Sequence, residues 1–135
     1  MVSLNEIHPV VISNPRIESN TQFDYLNFIV YLIQNKYLVQ GDILVVDNAS
    51  VHGGKETSDM LETLLRLAGV IVVYLPTYSP ELNPCELVFM KVKRYIREHR
   101  TEKSLFLEII QAFAEVDLMN VKRFYKKCYN MKNPV

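Results

Sequence analysis

Two carboxylates, Asp47 and Glu86, stand where chemistry on a metal-bound polyanion would need them. Asp47 closes the apolar run Ile43-Leu44-Val45-Val46. An acid at the carboxyl end of such a strand lies at the rim where open α/β sheets bind ligands. By position alone it serves equally well as a turn cap with Asn48. Glu86 stands third in a helix start, with Asn83 at the N-cap and Pro84 first. That is a capping-box arrangement, and taken alone it favours a structural Glu86 bonded back to the cap amide. The loop before Glu86 leaves the run at residues 70–74, however, so both acids start from neighbouring strand ends. In the functional reading they converge on a shared divalent cation. His52 and Asn83 stand near these acids in sequence, His52 as an active-site neighbour or a turn-holding histidine. Lys91, Lys93, Arg94 and Arg97 follow Glu86 on the same helix. They either contact nucleic-acid phosphates without reading sequence or form a solvated outer face.

The elements that must hold these residues are legible in outline. Val10-Val11-Ile12 reads as a short strand ended by Ser13-Asn14-Pro15. Asn20 or Thr21 caps a helix reaching about Leu38, with Phe23, Leu26, Ile29, Val30 and Ile33 on its apolar face. Gly41 breaks the chain before a strand over 42–47 that is apolar on both faces, as in the middle of a sheet. After Gly53-Gly54, Thr57 or Ser58 caps a second helix that turns Met60, Leu61, Leu64 and Leu65 inward, and Gly69 closes it. A second buried strand covers 70–74, so strand, helix and strand form a βαβ unit with parallel strands. Three further helices are expected: 84–99, about 104–115 with Leu105, Phe106, Ile109 and Phe113 inward, and 118–129. The fold class is α/β with a helical tail, divided as 1–100 and a tail of the same domain at 101–135.

With the elements placed, the motifs become recognisable. Val45-Val46-Asp47-Asn48-Ala49-Ser50-Val51-His52, followed by Tyr74-Leu75-Pro76-Thr77-Tyr78-Ser79-Pro80-Glu81-Leu82-Asn83-Pro84-Cys85-Glu86, closely resembles the DDE endonuclease domain of mariner-like and insertion-sequence transposases. The resemblance covers roughly residues 8–97. It implies a ribonuclease H-like fold in which three acids hold two Mg²⁺ or Mn²⁺ ions for attack on a DNA phosphodiester. Hard oxygen ligands suit such ions. Asp47 matches the family's second acid and Glu86 its third, with Asn48, His52 and Asn83 as active-site neighbours. Cys85 stands where the family usually has Ile, and Phe89 where it usually has Trp. The first acid belongs to a strand well upstream of the helix at 20–38, so the sequence is expected to represent an incomplete fold, its first strands and first acid missing. Asp24 lies inside that helix, on its solvated side.

Composition fits this reading and excludes others. The chain has 135 residues, 49% hydrophobic, with only 4 glycines and 6 prolines, which suits one packed domain and argues against disorder and low complexity. No apolar run is long enough to cross a membrane. Residues 1–10 carry Glu6 and no basic side chain, unlike a secretory signal. Cys85 and Cys128 are expected as reduced thiols of an intracellular protein, in the cytoplasm of a prokaryote or the nucleus of a eukaryote. The formal net charge of zero conceals a gradient: residues 1–90 hold 4 basic and 10 acidic side chains, a balance of −6, whereas 91–135 hold 11 and 5, a balance of +6. Such asymmetry suits a protein that brings metal and polyanion together. Lys122, Arg123, Lys126 and Lys127 form a second basic cluster, read as a solvated face, and Tyr125 and Tyr129 are read as packing residues.

Three functions follow. The first is a metal-dependent DNA cleavage and strand-transfer domain, inactive alone for want of the first acid. The second is a non-catalytic DNA-binding or assembly fragment of a split or decayed transposase, and the third a ribonuclease H-like domain for another polynucleotide. DNA is the expected partner, together with a missing N-terminal portion or a second copy. A long apolar strand at 42–47 without its neighbour has an open edge. The chain is therefore expected to pair strand 8–12 into the gap, to dimerise across it, or to be poorly soluble.

Overall fold

The computed structural model describes residues 1–4, 11–12, 21–47, 55–101 and 104–130. The chain divides into two compact units, Asn14–Ser79 and Met1–Ser13 with Pro80–Val135.

In the first of these units, helix α1 (Gln22–Gln34) leads into strand β1 (Ile43–Val46), helix α2 (Lys55–Leu67) and strand β2 (Ile71–Tyr74). Thr21 opens α1 with a reciprocal cap: its hydroxyl accepts from the Asp24 amide, and the Asp24 carboxylate accepts from the Thr21 amide at 2.8 Å. Asp24 is therefore a capping residue and not a solvated bystander. The helix ends four residues short of Leu38. Lys36 adopts a left-handed conformation (φ 58°), and the Tyr37 and Leu38 amides both return to the Leu32 carbonyl. Leu38 is still buried, which is why apolar periodicity extends the expected helix too far.

β1 and β2 pair in parallel with Ile43 beside Ile71 and Val46 beside Tyr74, as expected of a βαβ unit. The strands are not buried on both faces. Leu44 and Val46 are buried, while Ile43 is 63% exposed, Val45 37%, Ile71 56% and Val73 44%. The buried side chains of this unit, among them Ile29, Leu32, Leu61 and Leu65, come from one face of each helix, and the alternation of buried and exposed residues along β1 leaves one sheet face bare among the described residues. Phe23 and Met60, expected inward, are exposed. Thr57 does not cap α2. It lies inside the helix, buried, and its hydroxyl has no hydrogen-bond partner among the described residues. Gly69 closes α2 at φ 70°, and a Cβ there would lie 2.7 Å from Gln40 Cγ, so only glycine fits.

The other unit is built from a 3₁₀ turn (Pro80–Leu82) and helices α3 (Pro84–His99), α4 (Leu105–Ala114) and α5 (Leu118–Tyr129), close to the expected bounds. Val88, Val92, Ala112, Val116 and Val121 form its core, with Phe113, Phe124 and Tyr125 packed against them. Tyr125 also donates to the Val2 carbonyl at 3.0 Å, in keeping with a packing role. Asp117 caps α5 by accepting from the Asn120 amide at 2.7 Å, and Asn130 ends it in a left-handed conformation. On α4, Leu105 and Phe106 were expected inward and are exposed. Ala112 and Glu108 take the buried positions, with the Glu108 carboxylate accepting from the Thr101 amide and hydroxyl at 2.8 and 2.9 Å.

Val11 does not extend the sheet. It forms an antiparallel bridge with Val2, and Ile12 N–H donates to the Met1 carbonyl at 2.9 Å. The expectation that residues 8–12 fill the gap beside β1 is therefore not met at Val11 and Ile12. Residues 8–10 lie outside the described residues, and β2 is the one strand paired with β1 among those described. The fold is α/β in its mixture of helices and short parallel strands.

Candidate functional site

Asp47 leaves β1 directly after Val46, whose carbonyl accepts from the Leu75 amide at 2.8 Å. This last ladder bond holds the strand end against the start of the loop after β2. The Asp47 carboxylate is exposed there, at the carboxyl rim of the parallel pair. On the buried side of the same unit, Tyr25 stands one turn into α1. Burial pushes its phenol up to about 12, and Tyr74 and Asp47 add to the shift through their charge. Tyr25, Tyr74 and Asp47 thus lie within electrostatic reach of one another. Sequence reasoning missed Tyr25, because a tyrosine on an amphipathic helix carries no mark that it will come level with a strand end.

Glu86 belongs to the other unit, in the first turn of α3. Asn83 caps that helix as expected, its side chain accepting from the Cys85 amide at 3.1 Å, with Pro84 behind it. The second half of the capping box does not form. The Asn83 amide donates to the Pro80 carbonyl at 3.0 Å, because the 3₁₀ turn claims it first. The Glu86 carboxylate is left exposed, with no hydrogen bond or ion pair to it among the described residues. The structural role that sequence pattern favours for Glu86 is therefore absent, and an acid not spent on a cap is available to bind something else.

The basic residues of α3 divide by face. Lys93 and Arg97 lie at helical spacing from Glu86 and are exposed, so all three share one stripe. Arg94 is also exposed but its guanidinium bonds Glu98 at 2.8 Å, and Lys91 is half-buried on the opposite side. Two of the four cations thus share the exposed stripe of Glu86, and two do not. Arg123, Lys126 and Lys127 are exposed on α5, as a solvated face requires. Asn48 and His52 lie outside the described residues. Neither Cys85, half-buried, nor Cys128, buried, is in a disulfide.

Among the described residues no three metal-ligating side chains gather in one place. What Asp47 and Glu86 offer is two exposed carboxylates, the hard oxygen donors that Mg²⁺ and Mn²⁺ prefer, so the donor chemistry fits such an ion. No helix among the described residues is long and apolar enough to cross a membrane. No curated protein and no solved structure matches the chain significantly. A family of sequences does: the DDE superfamily endonucleases match it over residues 1–106.

Proposed function

For a chain that belongs to the DDE superfamily of endonucleases, we propose a transposase-type, metal-dependent role in DNA strand cleavage and transfer, with Asp47 and Glu86 as two of its catalytic acids. The observation that carries this reading is the state of Glu86. Within a motif that ordinarily closes a capping box, its carboxylate is left exposed and uncommitted. Family membership and the parallel βαβ order also support a ribonuclease H-like sheet.

In this reading Asp47, projecting from a strand end, and Glu86, projecting from a helix start, each hold divalent metal through carboxylate oxygens. When bound, Mg²⁺ or Mn²⁺ lowers the pKa of the attacking water or hydroxyl and neutralises charge on the phosphate. Lys93 and Arg97 draw the DNA backbone onto the Glu86 stripe and hold its phosphates in register. Asn83 fixes the helix start from which Glu86 projects, and Asn48 and His52 stand beside Asp47 in sequence. The resemblance assigns a third acid to an earlier strand of the fold, and in this reading Asp47 and Glu86 without it support weak cutting at most.

Nicking of supercoiled plasmid with Mg²⁺ and with Mn²⁺ tests this. Trace nicking that needs metal and disappears in both Asp47→Ala and Glu86→Gln is the expected result. Strong metal-dependent cutting that survives Asp47→Ala would overturn the assignment of the acids. Strong cutting that Asp47→Ala abolishes would overturn only the need for a third acid.

The exposed cations on α3 and α5 favour a second reading, a DNA-binding or assembly fragment without catalysis. DNA affinity that falls steeply with salt and ignores both acid substitutions would support it.

A further inference from the structure

We propose that the outward face of α4 is a dimerisation surface, on which a second copy of this chain packs its own α4 antiparallel about a two-fold axis at Ile110. The proposal stands independently of the metal-binding reading of Asp47 and Glu86.

The helix is apolar almost all the way round. Of the ten residues in Leu105–Ala114, only Glu108 and Gln111 are polar. Glu108 does not serve the solvent side, because it is buried with its carboxylate taken by Thr101. Ala112, four residues on, is buried on the same face. The opposite side of the helix is therefore centred on Ile110. Phe106, Leu107, Ile110 and Ala114 recur there at spacings of three and four. All are exposed, Phe106 at 47%, Leu107 at 53% and Ile110 at 45%. The stripe carries no charge. A helix that is apolar all round belongs in a place where every side is covered, and the valine-rich core covers only one side of α4.

The arrangement of the stripe identifies what covers the other. In a two-fold contact residue i meets j and j meets i, so the face must be complementary to itself. With the helices antiparallel and Ile110 on the axis, Ile110 meets the partner's Ile110. Four residues to either side, the bulky Phe106 meets the partner's Ala114, and Ala114 meets the partner's Phe106. Three residues to either side, Leu107 meets the exposed edge of the partner's Phe113. Large against small at both ends lets the helices approach closely. The absence of charge removes the like-charge repulsion that self-pairing otherwise brings. The area agrees. The stripe exposes on the order of 300 Å² of apolar surface, a size at which a patch on a monomer is often functional. At an apolar share of about 60%, two copies bury about 1,000 Å² in all, the lower end for a specific and weakly held dimer.

Sedimentation equilibrium of the 135-residue chain tests this. A monomer–dimer equilibrium in the micromolar range is expected. Ile110→Glu sets two like charges together on the axis and is expected to raise the dimer Kd at least about 100-fold. Because Ile110 is exposed, helical circular dichroism and the urea midpoint under dilute, monomeric conditions should stay at wild-type values. Ala114→Phe sets ring against ring at both ends and is expected to weaken the dimer about 10-fold. Adding Phe106→Ala to it should restore affinity to within about 3-fold, because the swap again leaves one large and one small residue in each pair. A chain that stays monomeric into the millimolar range, or a dimer that Ile110→Glu leaves intact, would overturn the assignment of this face. Loss in Ala114→Phe with no recovery in the double variant would overturn the antiparallel register, and the two-fold contact with it.

Discussion

In the unit of Met1–Ser13 and Pro80–Val135, α3, α4 and α5 close on a shared valine-rich core, and each helix satisfies its own backbone hydrogen bonds. In the unit of residues 14–79, two helices cover one side of two parallel strands and leave Ile43, Val45, Ile71 and Val73 facing out. The difference follows from what each element needs. A helix requires a partner on one stripe only, whereas a parallel strand requires neighbours along both edges and cover on both faces. Three helices can therefore finish a core where two strands cannot, and the chemically interesting acid of the strand-bearing unit sits on its less finished element.

Substitutions can break this contrast or sharpen it. The largest effect is expected at Leu32, which is 0% exposed in the core of its unit. Leu32→Ala should cost about 3 kcal/mol in urea unfolding, and a cost below about 1 kcal/mol would mean that α1 is not packed as described. A middling effect is expected at the caps, one in each unit. Thr21→Ala and Asn83→Ala should each lower stability by about 1 kcal/mol, and Glu86→Gln should not, because Glu86 takes no part in the cap. Equal losses for Asn83→Ala and Glu86→Gln would show that a closed capping box exists in solution. The smallest effect is expected on the bare sheet face. Ile43→Thr should alter stability by no more than about 0.5 kcal/mol, and a loss beyond about 1.5 kcal/mol would show that something covers that face in solution.

The start of α1 was legible to within a residue, as a cap at Asn20 or Thr21, whereas the return bond of Asp24 was not, because an acid at that spacing serves a solvated face equally well. The helix end was not legible, because Leu38 continues the apolar period after Lys36 has already turned the chain. The strands were located correctly from their β-branched runs, yet their exposure was misread. Val, Ile and Tyr look the same in sequence whether or not a second layer lies above them. At the candidate site Asp47 and Glu86 could be picked out by position and motif, and the uncommitted state of Glu86 could not. Whether a capping box closes depends on a competitor for the cap amide, here the Pro80 carbonyl, and the sequence pattern of the box contains no sign of it. On α3, the sequence named Lys91, Lys93, Arg94 and Arg97 together and did not sort them by face. It was silent on the pairing of Arg94 with Glu98, which is a matter of side-chain reach.

The close approach of Gly69 to Gln40 has a consequence at the opposite end of the ladder. With no side chain to push the segments apart, the Gly69 carbonyl accepts from the Gly41 amide and the nearby Ile71 amide donates to the Asp42 carbonyl, which starts the two strands in step. Strand side chains alternate between faces, so a start displaced by a single residue would turn the terminal carboxylate toward the wrong side of the sheet. The aim of the acid is thus decided far from where it acts, by a hydrogen atom where any other residue would carry carbon.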